Sequence, residues 1–173
     1  MDKKSEVITT VPTMSLDAEI QERIYYILLN EFDKAELRNC NSQMKAFRHP
    51  EYFISTFGNN IDEAFVLWWN FKEFIFIEYL WVALEKRHCG RGTILLEELK
   101  RGNRLIILEV LKCDNNAKFY FEMGFYKNNI SYKALDLNSL PALEYFLLSY
   151  NHKLTETEYN IFIDKIGENE YQF

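Results

Sequence analysis

The spacing of apolar residues changes several times along the chain, and each change marks an element. Ile20, Ile24, Ile27, Leu28 and Phe32 recur at helical spacing, which predicts an amphipathic helix over residues 16–32. Ser15 is placed to be its N-cap, with Asp17 and Glu19 in the first turn, where a carboxylate suits the helix dipole. Ahead of it, residues 6–10 form a short β-prone opening. Residues 63–69 and 74–83 are dense in aromatic and β-branched side chains and are joined by a short polar link. This is the pattern of an antiparallel hairpin. The second run carries too few charges for a solvated face, so it is predicted to be a central strand buried on both sides. Residues 93–101 and 115–123 are predicted helices, the second stopped by Gly124, with a strand at 104–110 between them. Strand-like runs at 130–137 and 144–150 and a helix at 155–166 complete the order. Residues 34–60 support two readings: His49 and Pro50 could open a short helix running to Phe57, or residues 52–57 could be a strand. The helix is taken as the expectation, and Gly58-Asn59-Asn60 reads as a turn. Strands interleaved with helices in this order give a mixed α/β domain.

Length and composition narrow the picture. At 173 residues the chain can bury one core, and no repeat or linker divides it, so one domain over 1–173 is expected, with residues 1–4 flexible. The most apolar window, 64–84, is interrupted by Asn70, Lys72, Glu73 and Glu78, which excludes a membrane helix, and no signal-peptide pattern is present. Three cysteines without metal-ligand spacing predict a reducing, cytoplasmic setting and no metal. The net charge of −6 has no basic block within it, so nucleic acid is not an expected partner and cationic ligands are weakly favoured.

Glycine is scarce, with six in the chain, yet Gly90 and Gly92 stand two residues apart. They fall in Arg87-His88-Cys89-Gly90-Arg91-Gly92-Thr93, between a predicted central strand and a predicted helix. A glycine-bearing loop that leads into a helix N-terminus can turn its N–H groups toward a phosphate, and Arg87 and Arg91 would add charge. A Walker loop is excluded because no Gly-Lys-Ser/Thr follows. The dinucleotide fingerprint is excluded by the missing third glycine and by the hairpin that precedes the loop.

Residues 78–96 resemble the central motif of the GNAT superfamily of acyl-CoA-dependent N-acetyltransferases, whose Arg/Gln-x-x-Gly-x-Gly/Ala signature is met by Arg87, Gly90 and Gly92 after a strand ending in Leu-x-Val. Residues 104–110 resemble the family's next strand. Asn115, Ala117, Phe119, Tyr120, Gly124 and Phe125 resemble its following helix. The resemblance implies an α/β (α+β) fold with a central mixed, mostly antiparallel sheet flanked by helices and splayed at the strand that binds coenzyme A. It further implies acetyl-CoA as co-substrate, its pyrophosphate on the amides of His88, Cys89, Gly90, Arg91, Gly92 and Thr93 beside Arg87. Its pantetheine arm would lie along Trp81, Val82 and Leu84, and the Val82 N–H would polarise the thioester carbonyl. Asn115 would contact the arm or cap its own helix. Tyr120 would protonate the departing thiolate; its other reading is an aromatic packing residue. Glu78, four residues before Val82 and therefore expected on the same face of the strand, is the candidate base; its other reading is a core-edge glutamate paired with a lysine or arginine. Leu84 stands where the family often has proline, and the segment from Asp114 to Tyr120 is one residue tighter than the common pattern. The implied partner is an amine, small-molecule or peptidyl, with a CoA-binding module that does not turn over as the alternative. Edge strands and aromatic surface are compatible with a homodimer.

Overall fold

The computed structural model describes residues 7–112, 115–130 and 144–171. The expected strand at 130–137 falls outside them except for Ile130, as do residues 1–4. Seven strands form one sheet in the order β1-β2-β3-β4-β5-β7-β6. They are β1 (Ile8–Pro12), β2 (Tyr52–Phe57), β3 (Asn60–Asn70), β4 (Ile75–Val82), β5 (Ile106–Leu111), β6 (Tyr126–Lys127) and β7 (Tyr145–Tyr150). Every pairing is antiparallel except that of β4 with β5, and α3 (Arg91–Lys100) supplies the crossover between these two parallel strands.

The helices divide between the two faces. Ile24 and Leu28 of α1 (Ala18–Glu31), Ala46 and Phe47 of α2 (Cys40–Phe47), and Phe162 and Ile166 of α5 (Glu156–Tyr171) pack with Phe65, Leu67, Trp69 and Phe76 on one face. Leu95, Leu96 and Leu99 of α3 and Ala117 of α4 (Asn116–Glu122) pack with Val66, Trp68, Ile77 and Leu108 on the other. Alternate residues of each central strand thus serve two cores, which is why these strands read as continuous apolar runs. No helix among the described residues is long and apolar enough to cross a membrane.

Two expectations are corrected. Residues 52–57 are the strand β2, because Tyr52 and Ile54 enter one core while backbone on both sides, β1 and β3, completes their ladder. The helix of this region lies earlier, at α2, where the Asn39 side chain accepts from the Ser42 N–H at 2.9 Å. Helix α1 begins at Ala18 after Asp17 as N-cap; Ser15 is in a preceding turn and its hydroxyl donates to the Pro12 carbonyl at 2.7 Å instead.

Two polar clusters stand out, one at the β3–β4 turn and one capping α5. Arg104 reaches across to the β3–β4 turn, donating to Asn70 Oδ1 (2.5 Å) and to the carbonyls of Phe71, Lys72 and Phe74. At the start of α5, Thr155 and Glu158 form a reciprocal cap: the Glu158 carboxylate accepts from the Thr155 N–H (2.8 Å) and hydroxyl (2.9 Å), and the Thr155 hydroxyl oxygen accepts from the Glu158 N–H. The His152 ring is a further partner at 2.8 Å. Burial alone would raise the Glu158 carboxyl, but these bonds outweigh it and hold it below the usual carboxylate value. A depressed folded pKa gives stability that is present above the unfolded carboxyl's range and is lost as pH falls through the folded value. Glu158→Ala is therefore expected to remove about 1 kcal/mol, a fall in Tm of about 2–4 °C at pH 7, with the difference narrowing as pH falls below the ordinary glutamate range and the wild-type carboxylate protonates. Thermal unfolding of both proteins across pH checks this.

Candidate functional site

The site is built around one extra residue. Between β3 and β4 the register runs Trp68 opposite Ile77 and then Leu67 opposite Tyr79, so Glu78 is left without a cross-strand position and forms a β-bulge. On its other side β4 pairs with β5 at Ile75, Phe76 and Ile77, opposite Ile106, Ile107 and Leu108. Beyond the bulge the two parallel strands part. The Ala83 N–H donates to the Glu63 carbonyl of β3 at 2.9 Å. Successive backbone groups of a strand point to opposite edges, so the N–H and carbonyl of Val82 face the gap left by β5. Arg87 agrees with this: its Nε donates to the Val82 carbonyl at 3.0 Å from that open edge.

The loop that follows closes on α3, which starts at Arg91, two residues earlier than predicted. Gly90, its N-cap, has φ +80° and makes the left-handed turn, and His88 adopts φ +60° without being glycine. The first intrahelical bond is from the Ile94 N–H to the Gly90 carbonyl (3.0 Å). The N–H groups of Arg91, Gly92 and Thr93 precede it, and the positive end of the helix dipole adds to them. Gly92 is a close-approach position: a Cβ there would lie 3.4 Å from Phe119 Cζ, 3.7 Å from Val82 Cγ2 and 3.8 Å from Leu80 Cδ2. The loop arginines do not stand as open charges. Arg87 pairs with Glu31 of α1 at 2.8 Å, while Arg91 reaches Glu63 at 3.3 Å with its guanidinium over the Phe57 ring. Glu63 also takes Lys86, at 3.1 Å. His88, Cys89 and Thr93 are exposed, and Leu84 projects into solvent (74% exposed) rather than along the gap.

Tyr120 of α4 packs edge-on to Phe119 and Phe125 and shares its face of the sheet with Leu80 and Val82. Asn115 precedes α4, is exposed, and its side chain makes no capping bond. Val82, Gly92 and Tyr120 are thus brought to one side of the parted strands. Glu78 and Trp81 are not. The bulge resets the alternation, so Glu78, expected on the face of Val82, turns to the opposite face. There its carboxylate accepts from the Tyr52 hydroxyl and pairs with Arg38 at 2.5 Å; the two charged side chains are 6% and 1% exposed. Burial first, and then the Glu78 charge, pushes the Tyr52 phenol well above its usual value, so it remains a donor. Trp81 lies on the same face as Glu78, against Phe65. Arg38, Glu31 and Glu63 carry no signal in the sequence: each is an isolated charge, and nothing local marks the distant partner it meets.

No family model matches the chain. It is 27% identical over 146 residues to "Putative acetyltransferase YjbC" of Bacillus subtilis, covering 77% of this chain and 76% of that protein. Among solved structures, a GNAT-family protein of Bacteroides thetaiotaomicron superposes with a TM-score of 0.78 over 96% of this chain and 99% of its own, at 21% identity. Arabidopsis thaliana NAA60, solved in complex with acetyl-CoA, superposes with a TM-score of 0.61 over 83% and 99%, at 14% identity. The chain has the GNAT fold: a mixed, mostly antiparallel sheet between helices, opened between β4 and β5.

The buried pair makes a specific demand. Arg38→Met leaves the Glu78 carboxylate buried without its counter-charge and is expected to cost about 3–5 kcal/mol, whereas Arg38→Met with Glu78→Gln should recover a large part of that loss. Urea unfolding of the single and double variants measures the difference.

Proposed function

We propose that this protein is an N-acetyltransferase that moves the acetyl group of acetyl-CoA to a primary amine by direct attack. One observation carries the reading: the Val82 N–H at an unpaired strand edge, the amide-lined start of α3 and the Tyr120 ring stand on one side of the gap between β4 and β5. The residues fit the cofactor. Gly92 removes a Cβ where Val82, Leu80 and Phe119 converge, and the three N–H groups at the start of α3 suit a pyrophosphate. The Bacillus and Bacteroides proteins named as acetyltransferases, and the Arabidopsis structure with acetyl-CoA, support the same reading.

Acetyl-CoA would supply an acyl carbon already activated as a thioester. The chain's own groups do the rest. The Val82 N–H donates toward the carbonyl oxygen on which charge develops, an effect that is strong because the donor is fixed in place beforehand. As the amine nitrogen bonds to the acyl carbon and the carbon–sulfur bond breaks, the Tyr120 hydroxyl gives its proton to the sulfur and regains one from the amine nitrogen. Glu78 has no part in this: its carboxylate is held by Arg38 and Tyr52 on the far face, so the amine enters as the free base. The acidic chain favours cationic acceptors.

The commitment of Glu78 also favours a second reading, in which the domain binds CoA without turning it over. A thermal-shift comparison of CoA and acetyl-CoA with ATP and NAD tests both at once. At a hundredfold excess over Kd a bound ligand adds about 2.7 kcal/mol, so Tm is expected to rise by several degrees with the first two only. Absence of any rise would overturn both readings. Release of free thiol over a panel of polyamines, aminoglycosides, amino acids and peptide N-termini then separates enzyme from binder. In the active protein Tyr120→Phe should lower turnover on the order of a hundredfold; full turnover would remove Tyr120 from the mechanism.

A further inference from the structure

The loop between β4 and α3 is closed by a carboxylate from elsewhere in the sheet. Glu63 of β3 takes Lys86, just before the loop, at 3.1 Å, and Arg91, just after it, at 3.3 Å. Between these two cations lie both left-handed residues, His88 at φ +60° and Gly90 at φ +80°. A non-glycine residue in that region costs energy and persists where its surroundings hold it. We infer that Glu63 is a positioning residue for the phosphate loop: its one carboxylate fastens both ends of the 86–91 segment to β3 and so fixes the direction in which the loop amides point. The inference rests on the reading of this loop as a pyrophosphate site, and it assigns to the acidic residue beside that site a supporting role.

The geometry favours a clasp over simple competition for the cations. Arg91 is mostly covered, its side chain 17% exposed and its guanidinium over the Phe57 ring, so it is committed to the scaffold where β2 ends and β3 begins. Glu63 is itself held at its backbone, where its carbonyl accepts from the Ala83 N–H at 2.9 Å, one residue past the Val82 edge. The clasp therefore ties the start of the loop, its end and the end of β4 beside Val82 to one residue. Electrostatics alone predicts the opposite: an acid near a phosphate site repels the ligand and ties up its cations, so that removing it tightens binding.

The experiment compares wild type with Glu63→Gln and Glu63→Asp. Kd for CoA is measured by titration calorimetry, and amide hydrogen exchange is measured over residues 87–93 in the ligand-free proteins. The clasp predicts that Glu63→Gln raises Kd on the order of tenfold and speeds exchange in this segment, while exchange in β5 and β7 is unchanged. Glu63→Asp keeps the charge and should return part of both effects. Tighter or unchanged CoA binding by Glu63→Gln would overturn the inference, as would loop exchange at the wild-type rate. If wild type itself binds no CoA, the acetyltransferase reading falls instead, and the exchange rates alone decide whether Glu63 orders the loop.

Discussion

Strand β4 holds one residue more than β3 can pair, and that residue is a glutamate buried beside an arginine. The Glu78 bulge ends the short stretch of β4 that matches β5 and turns the rest of the strand away. A bulge concentrates twist, and in a parallel pair with three matched positions little else resists the separation. The open edge at Val82, the approach of α4 to Gly92 and the position of Tyr120 all lie downstream of this event. The ion pair with Arg38 keeps Glu78 turned toward the α1–α2 face, since a carboxylate in the opposite core would have neither that charge nor the Tyr52 hydroxyl to meet it.

The same residue shows where reading the chain by pattern works and where it fails. Strict alternation along residues 78–82 puts Glu78 and Val82 on one face, and it is correct for the pairs on either side of the bulge: Leu80 with Val82, Tyr79 with Trp81, Phe74 with Phe76. One unpaired residue inverts the relation across it, and no composition signal announces a bulge inside a run of aromatic and β-branched side chains. The residues of the loop are legible because their chemistry is local. Gly90 takes the left-handed turn its type permits, and Gly92 stands where three side chains converge. Residues 52–57 mislead for a related reason: a proline at the start of an apolar run suits a helix as well as a strand, and β1 and β3, which settle the choice, are separate segments of the chain.

Long-range charge pairing is the least legible part. Arg38 and Glu78 lie far apart in the chain, as do Glu31 and Arg87, and Glu63 meets cations on both sides of the loop. Each pair joins elements that adjoin only once the sheet has formed. Sequence can say that a lone charge near an apolar run needs a partner; it cannot choose among the oppositely charged residues. The sheet makes that choice by register.

This pairing alters what the loop can offer an anion. Arginines beside a glycine turn suggest a site run by full charges, yet Lys86, Arg87 and Arg91 face the carboxylates of Glu31 and Glu63, so most of the local positive charge is already balanced. What the start of α3 adds is the set of N–H groups ahead of its first helical bond. Such donors hold an anion by direction more than by field, and they lose less to salt than an exposed arginine does. A chain carrying an overall charge of −6 would repel a phosphate at long range and admit it only where amides are aimed at it. Selectivity at this loop then depends on backbone shape, and backbone shape depends on the two left-handed residues and on whatever keeps the ends of the loop in place.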